Sequence, residues 1–247
     1  AESFADHYSQ ARLFFRSQTE IEQAHLASAL VFELSKVTLE HVRTRVLANL
    51  RNVDESLAQR VADGMGLSLP GASKPAAKPV DLDVSPALRI VGKYPDTLKG
   101  RKVGILVAEG SDGAAVEAVR KAVLGDGGSV FIVAPKVAGV KLADGSMLAA
   151  DGQLAGSPSV LFDAVAIILS DDGCAQLLKE GAATDFAKDA YGHLKAIGFS
   201  AQAQPLLDKA GVKSDDGVVE IDAKSKLFLA AARTRQWERE PKVRTLA

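Results

Sequence analysis

The chain has 247 residues, 47% hydrophobic and 25% charged, with 30 Lys and Arg against 31 Asp and Glu for a net charge of −1. That balance belongs to a globular protein with room for one or two domains and a sizeable core, and it excludes a disordered tail or a mini-protein. Near-neutral charge gives no electrostatic reason to expect nucleic acid or an anionic membrane as partner, and the single cysteine, Cys174, excludes an intrachain disulfide and a cysteine-based metal cluster.

The first 67 residues contain no proline and place apolar side chains at helical spacing, which predicts a helical segment over 1–67. Thr19 followed by Glu22 is a capping-box pattern, so a helix is expected over 20–37. Leu39, Val42, Val46, Leu50 and Val53 then recur at intervals of three and four, forming one stripe with Arg43, Arg45 and Arg51 largely off it. Asp54 is placed to cap a further helix carrying Leu57, Val61 and Met65, with Gly64 and Gly66 as its expected end. Residues 68–88 hold Pro70, Pro75, Pro79 and Pro86 among Ala, Ser, Lys and Asp. Such a stretch cannot donate regular hydrogen bonds and reads as an extended linker, after which a second domain spans 89–247.

In that second part, strands are expected at 102–107, 130–133, 164–169, 194–199 and 218–221. Helices are expected at 113–124, 175–193 (one or two), 202–209 and 224–237. Residues 140–148 offer a hairpin with Asp144-Gly145 at its turn. Alternating strands and helices imply a doubly wound parallel α/β sheet. The longest apolar runs, such as 164–169, fall well short of the roughly 18 residues of a membrane span. With no charged-then-apolar leader, a cytoplasmic location is expected. The start at Ala1-Glu2-Ser3-Phe4, without Met, points to a processed or truncated product.

Few residues suggest chemistry. Glu109-Gly110-Ser111-Asp112-Gly113 follows the first strand, where a doubly wound fold binds phosphate, but it matches no phosphate-binding fingerprint. Its two carboxylates would repel an anion, so a structural turn with capping acids is expected. Cys174 follows Ser170-Asp171-Asp172-Gly173, and at a helix N-terminus its thiol would be activated; the competing reading is a small, partly buried apolar side chain. His7, His25, His41 and His193 show no ligand spacing, and no metal site is expected.

The opening string from Phe4-Ala5-Asp6-His7-Tyr8-Ser9-Gln10-Ala11-Arg12 to Thr19, with Glu22-Gln23-Ala24-His25 and Phe32-Glu33-Leu34-Ser35-Lys36-Val37, resembles the segment of large-subunit haem catalases that leads from their β-barrel into their helical domain. Arg235-Gln236-Trp237-Glu238-Arg239-Glu240-Pro241-Lys242-Val243 resembles the same family's terminal helix and tail. The resemblance implies a C-terminal portion of an enzyme that disproportionates hydrogen peroxide as a haem-bearing homotetramer. In that enzyme this portion would serve stability, subunit assembly and channel access, with the barrel region and sister subunits as partners.

The resemblance also makes the second part similar to class I glutamine amidotransferases and the intracellular-protease/deglycase superfamily, hence flavodoxin-like. Active members of that superfamily place a Cys at a tight strand-to-helix elbow, supported by a Glu and a His. The matching elbow is Ile197-Gly198-Phe199-Ser200-Ala201-Gln202, which puts Ser200 at the nucleophile position with no His following it, and Asp171-Asp172-Gly173 replaces the Gly-Gly loop. Cys174 and Ser200 are the candidate catalytic residues. Catalases ligate haem through a Tyr preceded four residues earlier by Arg. Here Tyr8, Tyr94 and Tyr191 are preceded at that spacing by Phe4, Ile90 and Ala187, so no haem is expected in this chain. Two alternatives stand beside this reading. One is a chaperone-like holdase that self-associates or binds unfolded clients through Phe14, Phe15, Leu26, Leu30 and Phe32; the other is an amidotransferase/deglycase-type enzyme using Cys174 or Ser200.

Overall fold

The computed structural model describes residues 4–243. The chain divides into two compact units, one up to Lys93 and one over Tyr94–Val243.

The first unit packs four helices, α1 (Ser9–Ser17), α2 (Glu20–Ser35), α3 (Glu40–Val53) and α4 (Glu55–Met65). The expected capping box opens α2: the Thr19 hydroxyl accepts from the Glu22 amide while the Glu22 carboxylate accepts from the Thr19 amide at 2.8 Å. Asp54 caps α4 through the Ser56 amide at 2.9 Å, and Gly66, at φ 64°, closes it in the left-handed conformation. Three details differ from the sequence reading. The centre of the α3 stripe is Leu47, fully buried, whereas Leu39 is 57% exposed because it is the residue before the first helical turn. Gly64 lies inside α4, where a Cβ would meet Val31 Cγ2 at 2.6 Å, so glycine is needed there for the close approach of α2 rather than as a stop. Phe15 is buried in the helical core with Leu34, Leu47, Leu57 and Val61, leaving Phe14 and Phe32 as the exposed phenylalanines of these helices.

The proline-rich segment is extended but is not a free linker. Arg51 donates to the Pro70 carbonyl (2.7 Å), Asn52 to that of Ser73 (2.8 Å), and the Val80 and Ser85 amides donate to the hydroxyls of Ser9 (2.7 Å) and Ser17 (2.9 Å). Asp81 pairs with Arg12 and with Arg16, and Glu22 accepts from the amides of Ile90 (2.6 Å) and Val91 (3.0 Å). Proline forbids a ladder, yet the remaining backbone groups still need partners, and side chains of α1–α3 supply them. The division between units therefore falls after Lys93 and not within 68–88.

The second unit contains β1 (Lys102–Val107), α5 (Gly113–Gly125), β2 (Ser129–Ala134), a small antiparallel hairpin β3 (Val140–Lys141) and β4 (Met147–Leu148), β5 (Gly152–Gln153), β6 (Ala164–Ile168), α6 (Asp171–Leu177), α7 (Gly181–Gly192), β7 (Ile197–Phe199), α8 (Gln204–Lys209), β8 (Val218–Glu220), α9 (Lys226–Ala232) and α10 (Glu240–Val243). Six strands form a parallel sheet in the order β5-β2-β1-β6-β7-β8. Both faces are covered, as continuous apolar runs such as Ala164–Ile168 require. Leu106, Val165 and Ile167 pack with Phe162, Phe186 and Leu206 on one face, and Val103, Ile105 and Ile168 with Val116, Val119 and Phe228 on the other. Gly104 is where Phe162 crosses β1, since a Cβ would lie 2.4 Å from its ring. The helix expected over 224–237 ends at Ala232, and the expected strand start at 194 is taken by Leu194 at φ 59°. No helix among the described residues is long and apolar enough to cross a membrane.

Candidate functional site

In open parallel sheets, ligands bind beyond the carboxyl ends of the strands, where the strand order reverses. Here that point lies at β1, with β2 on one side and β6 on the other. Three serines meet there. Ser111, fully buried, accepts from the Ala108 amide (3.0 Å) and lies 2.7 Å from the Ile168 carbonyl and 2.8 Å from that of Ala108. Ser170 donates to the Glu109 carbonyl (2.7 Å) and accepts from the Gly173 amide (2.9 Å), capping α6. Ser200 accepts from the Leu169 amide (2.9 Å) and donates to the Leu169 carbonyl (3.0 Å).

A hydroxyl has one hydrogen to give, and each of these has a backbone carbonyl within reach. Together they stitch the loops after β1, β6 and β7 to one another. Glycines let the backbones close in: a Cβ at Gly110, already at φ 77°, would sit 3.0 Å from Ser170 Oγ, and one at Gly173 would sit 2.9 Å from the Glu109 carbonyl oxygen. Beside this junction Glu109, Pro135, Lys136, Gly139, Val140 and Gln176 line a cleft of about 30 Å3, the volume of one water molecule.

Both sequence candidates fall in this region, and among the described residues neither hydrogen-bonds a histidine. Ser200 sits at φ −81°, ψ 148°, a relaxed extended conformation, whereas a nucleophile elbow holds its serine in a strained turn. His193, the one histidine of this unit, precedes β7 while Ser200 follows it, so the two stand at opposite ends of the strand. Cys174 lies one turn into α6, 2% exposed, among Leu177, Leu206 and their neighbours. Burial, with the nearby Asp171 carboxylate, pushes its thiol up, opposite to the activation a helix N-terminus offers. The Glu109–Gly113 turn is structural: Asp112 caps α5 through the Ala114 amide (2.8 Å) and Glu109 accepts from the Lys141 amide (3.1 Å). Among the described residues, no three His, Cys, Asp or Glu side chains converge to hold a metal ion.

Sequence reasoning passed over the most strongly held polar group. Arg239, 2% exposed, clasps Asp215 through two hydrogen bonds of 2.7 and 2.8 Å, donates to the carbonyls of Lys195 (2.9 Å) and Tyr191 (3.1 Å), and stacks 4.2 Å over the Tyr191 ring. Burial alone would raise the Asp215 carboxyl, but the guanidinium holds it below the usual carboxylate range. Arg233 similarly clasps Asp126 (2.6 and 3.0 Å) and reaches Asp96 (2.6 Å). The signal was present in the density of arginines in 233–239; their partners lie far off in sequence.

Comparison with known proteins places residues 99–240 with the C-terminal domain found in long catalases, and residues 1–65 with the family described as catalase-related immune-responsive. The chain is 45% identical to Catalase C of Rhizobium meliloti over 99% of its own length and 36% of that protein's. Against Catalase HPII of Pseudomonas putida the identity is 37%, over 97% of this chain and 34% of the relative. Against Catalase-2 of Bacillus subtilis it is 33%, over 97% and 35%. The chain thus spans about a third of the length of the curated relatives it matches.

Proposed function

This chain belongs to the family of long-catalase C-terminal domains, and we propose that it serves a parent peroxide-disproportionating enzyme as a non-catalytic portion that stabilises the subunit, supports assembly with sister subunits and shapes access to the haem channel. The observation that carries this reading is the closed switch point: its three hydroxyls are committed to backbone groups, and among the described residues neither Ser200 nor Cys174 hydrogen-bonds a histidine. We further infer a flavodoxin-like α/β unit. With the short β3, β4 and β5 set aside, the order β2-β1-β6-β7-β8 reads 2-1-3-4-5, the flavodoxin arrangement.

The tyrosines support a chain without its own haem. Tyr8 bonds the Asn49 side chain, Tyr94 accepts from the Trp237 indole, and Tyr191 lies under Arg239. Each is engaged elsewhere, and none has the arginine four residues before it that supports an iron-bound tyrosinate. Two measurements test the reading together. The purified chain should show no Soret band and evolve no oxygen from peroxide. Deleting the matching region from a full-length relative should preserve turnover per haem while shortening the half-life on heating. Stoichiometric haem with catalase turnover in this chain alone, or unchanged heat inactivation and assembly after the deletion, would overturn it.

A further inference from the structure

At the edge of the sheet opposite the switch point, Arg101 immediately precedes β1, Asp163 precedes β6, and Lys195 stands two residues before β7. Arg101 and Asp163, with Tyr94, Ala232, Thr234 and Arg235, line a cleft of about 160 Å3. At roughly 30 Å3 per water, that is about five waters, room for one phosphate or carboxylate group and its remaining hydration.

Each arginine is anchored by a single backbone carbonyl, Arg101 on Ala232 and Arg235 on His193, both at 3.1 Å. A guanidinium has five N–H donors, so both keep donors beyond their anchor. Among the described residues neither pairs with a carboxylate, whereas Arg233 and Arg239 of the same unit each clasp an aspartate. The Asp163 carboxylate opposes an anion, but one of its oxygens is taken by the Lys102 amide at 2.8 Å. Lys195 is not part of the lining: 4% exposed, its ammonium donates to the Ser159 carbonyl at 2.7 Å. Burial and then Arg235 push that ammonium down to about 8, against the pull of Asp163 and Asp189. Two cations therefore line the cleft beside one carboxylate, in a half-buried setting suited to the planar, multidentate recognition of oxyanions by arginine.

We propose that this cleft is a binding site for a small oxyanion, a phosphate or carboxylate group held between Arg101 and Arg235. The test titrates the full chain at low ionic strength with inorganic phosphate in one arm and acetate in the other, against sodium chloride of matched ionic strength. Readouts are the thermal midpoint and the arginine Nε–Hε resonances. A saturable rise in midpoint is expected in at least one arm, with the Arg101 and Arg235 resonances moving along one binding curve. R101Q and R235Q should each weaken binding tenfold or more, while R120Q, which changes an exposed arginine on α5, leaves it unchanged. A response to phosphate alone assigns a phosphate-type ligand, and one to acetate alone a carboxylate. No saturable shift in either arm, or binding that survives both substitutions undiminished, overturns the site. Because the wild-type resonances report directly on the two arginines, a variant that fails to fold does not remove the test.

Discussion

Ser200 holds both backbone groups of Leu169 with one oxygen, joining the end of β7 to the end of β6. Ser200→Ala should leave that amide and carbonyl without their partner. Each such bond contributes roughly 0.5 to 1.5 kcal/mol net, so urea unfolding should show a loss of about 2 kcal/mol, and any hydrolase activity of the preparation should not change. A collapse of such activity would reveal a base from elsewhere in the chain. At Arg239 the stakes are higher, because Arg239→Ala strands the Asp215 carboxylate. Breaking a buried ion pair costs about 3 to 5 kcal/mol, while replacing both partners by apolar groups costs much less. The expectation is therefore a large loss for Arg239→Ala and a smaller one for Arg239→Met combined with Asp215→Leu; equal losses would mean that the clasp stabilises through shape alone. The position of Ser200 was legible in the sequence. Its commitment was not, because the partner lies 31 residues upstream and is a backbone group.

At the level of elements, the strap over 68–91 depends on ionised carboxylates of the helical unit and of its own. Although burial works against its ionisation, Glu22 is held below the usual glutamate range by the Thr19, Ile90 and Val91 amides and the Thr19 hydroxyl. A depressed carboxyl contributes stability that is complete above its unfolded value of 4.5 and is lost as pH falls through its lower folded value. Protection of the Ile90 and Val91 amides from hydrogen exchange should therefore drop on acidification below about 4.5 in the wild type. In Glu22→Gln it should be weak at every pH; retention of full protection in that variant would show that the carboxylate does not hold the strap. The helices themselves were readable because spacing and caps are local: Thr19, Glu22, Asp54 and Gly66 act within four residues of their own position. The strap was not readable as a bound element, since prolines announce only what the backbone cannot do, while the side chains that hold it, such as Ser9 and Ser17, lie about 70 residues earlier.

For the whole molecule, the two compact units make a definite cleavage pattern. Lys74 and Lys78 each precede a proline, a bond trypsin does not cut, and the amide after Arg89 is held by Glu22. Lys93 is exposed and closes the first unit. Trypsin should therefore cut first at Lys93–Tyr94 and leave a folded product from Tyr94 onward; a first cut within α1–α4, or unfolding of that product, would contradict the division. The alternation of strands and helices was enough to read a parallel α/β sheet, but not its edges: β5 has two residues and no pattern of its own, and the helix expected to close the unit gives way after Ala232 to a tail whose shape is set by Asp126 and Asp215. That tail has a consequence for biosynthesis. The ribosome delivers β1 through β8 before it delivers Arg233 and Arg239, so a nascent chain holding every strand of the sheet still carries Asp126 and Asp215 unmatched. Closure of this unit is thus postponed until translation has passed residue 239, and a transcript cut short between β8 and codon 233 yields a product with every strand of the sheet and neither clasp.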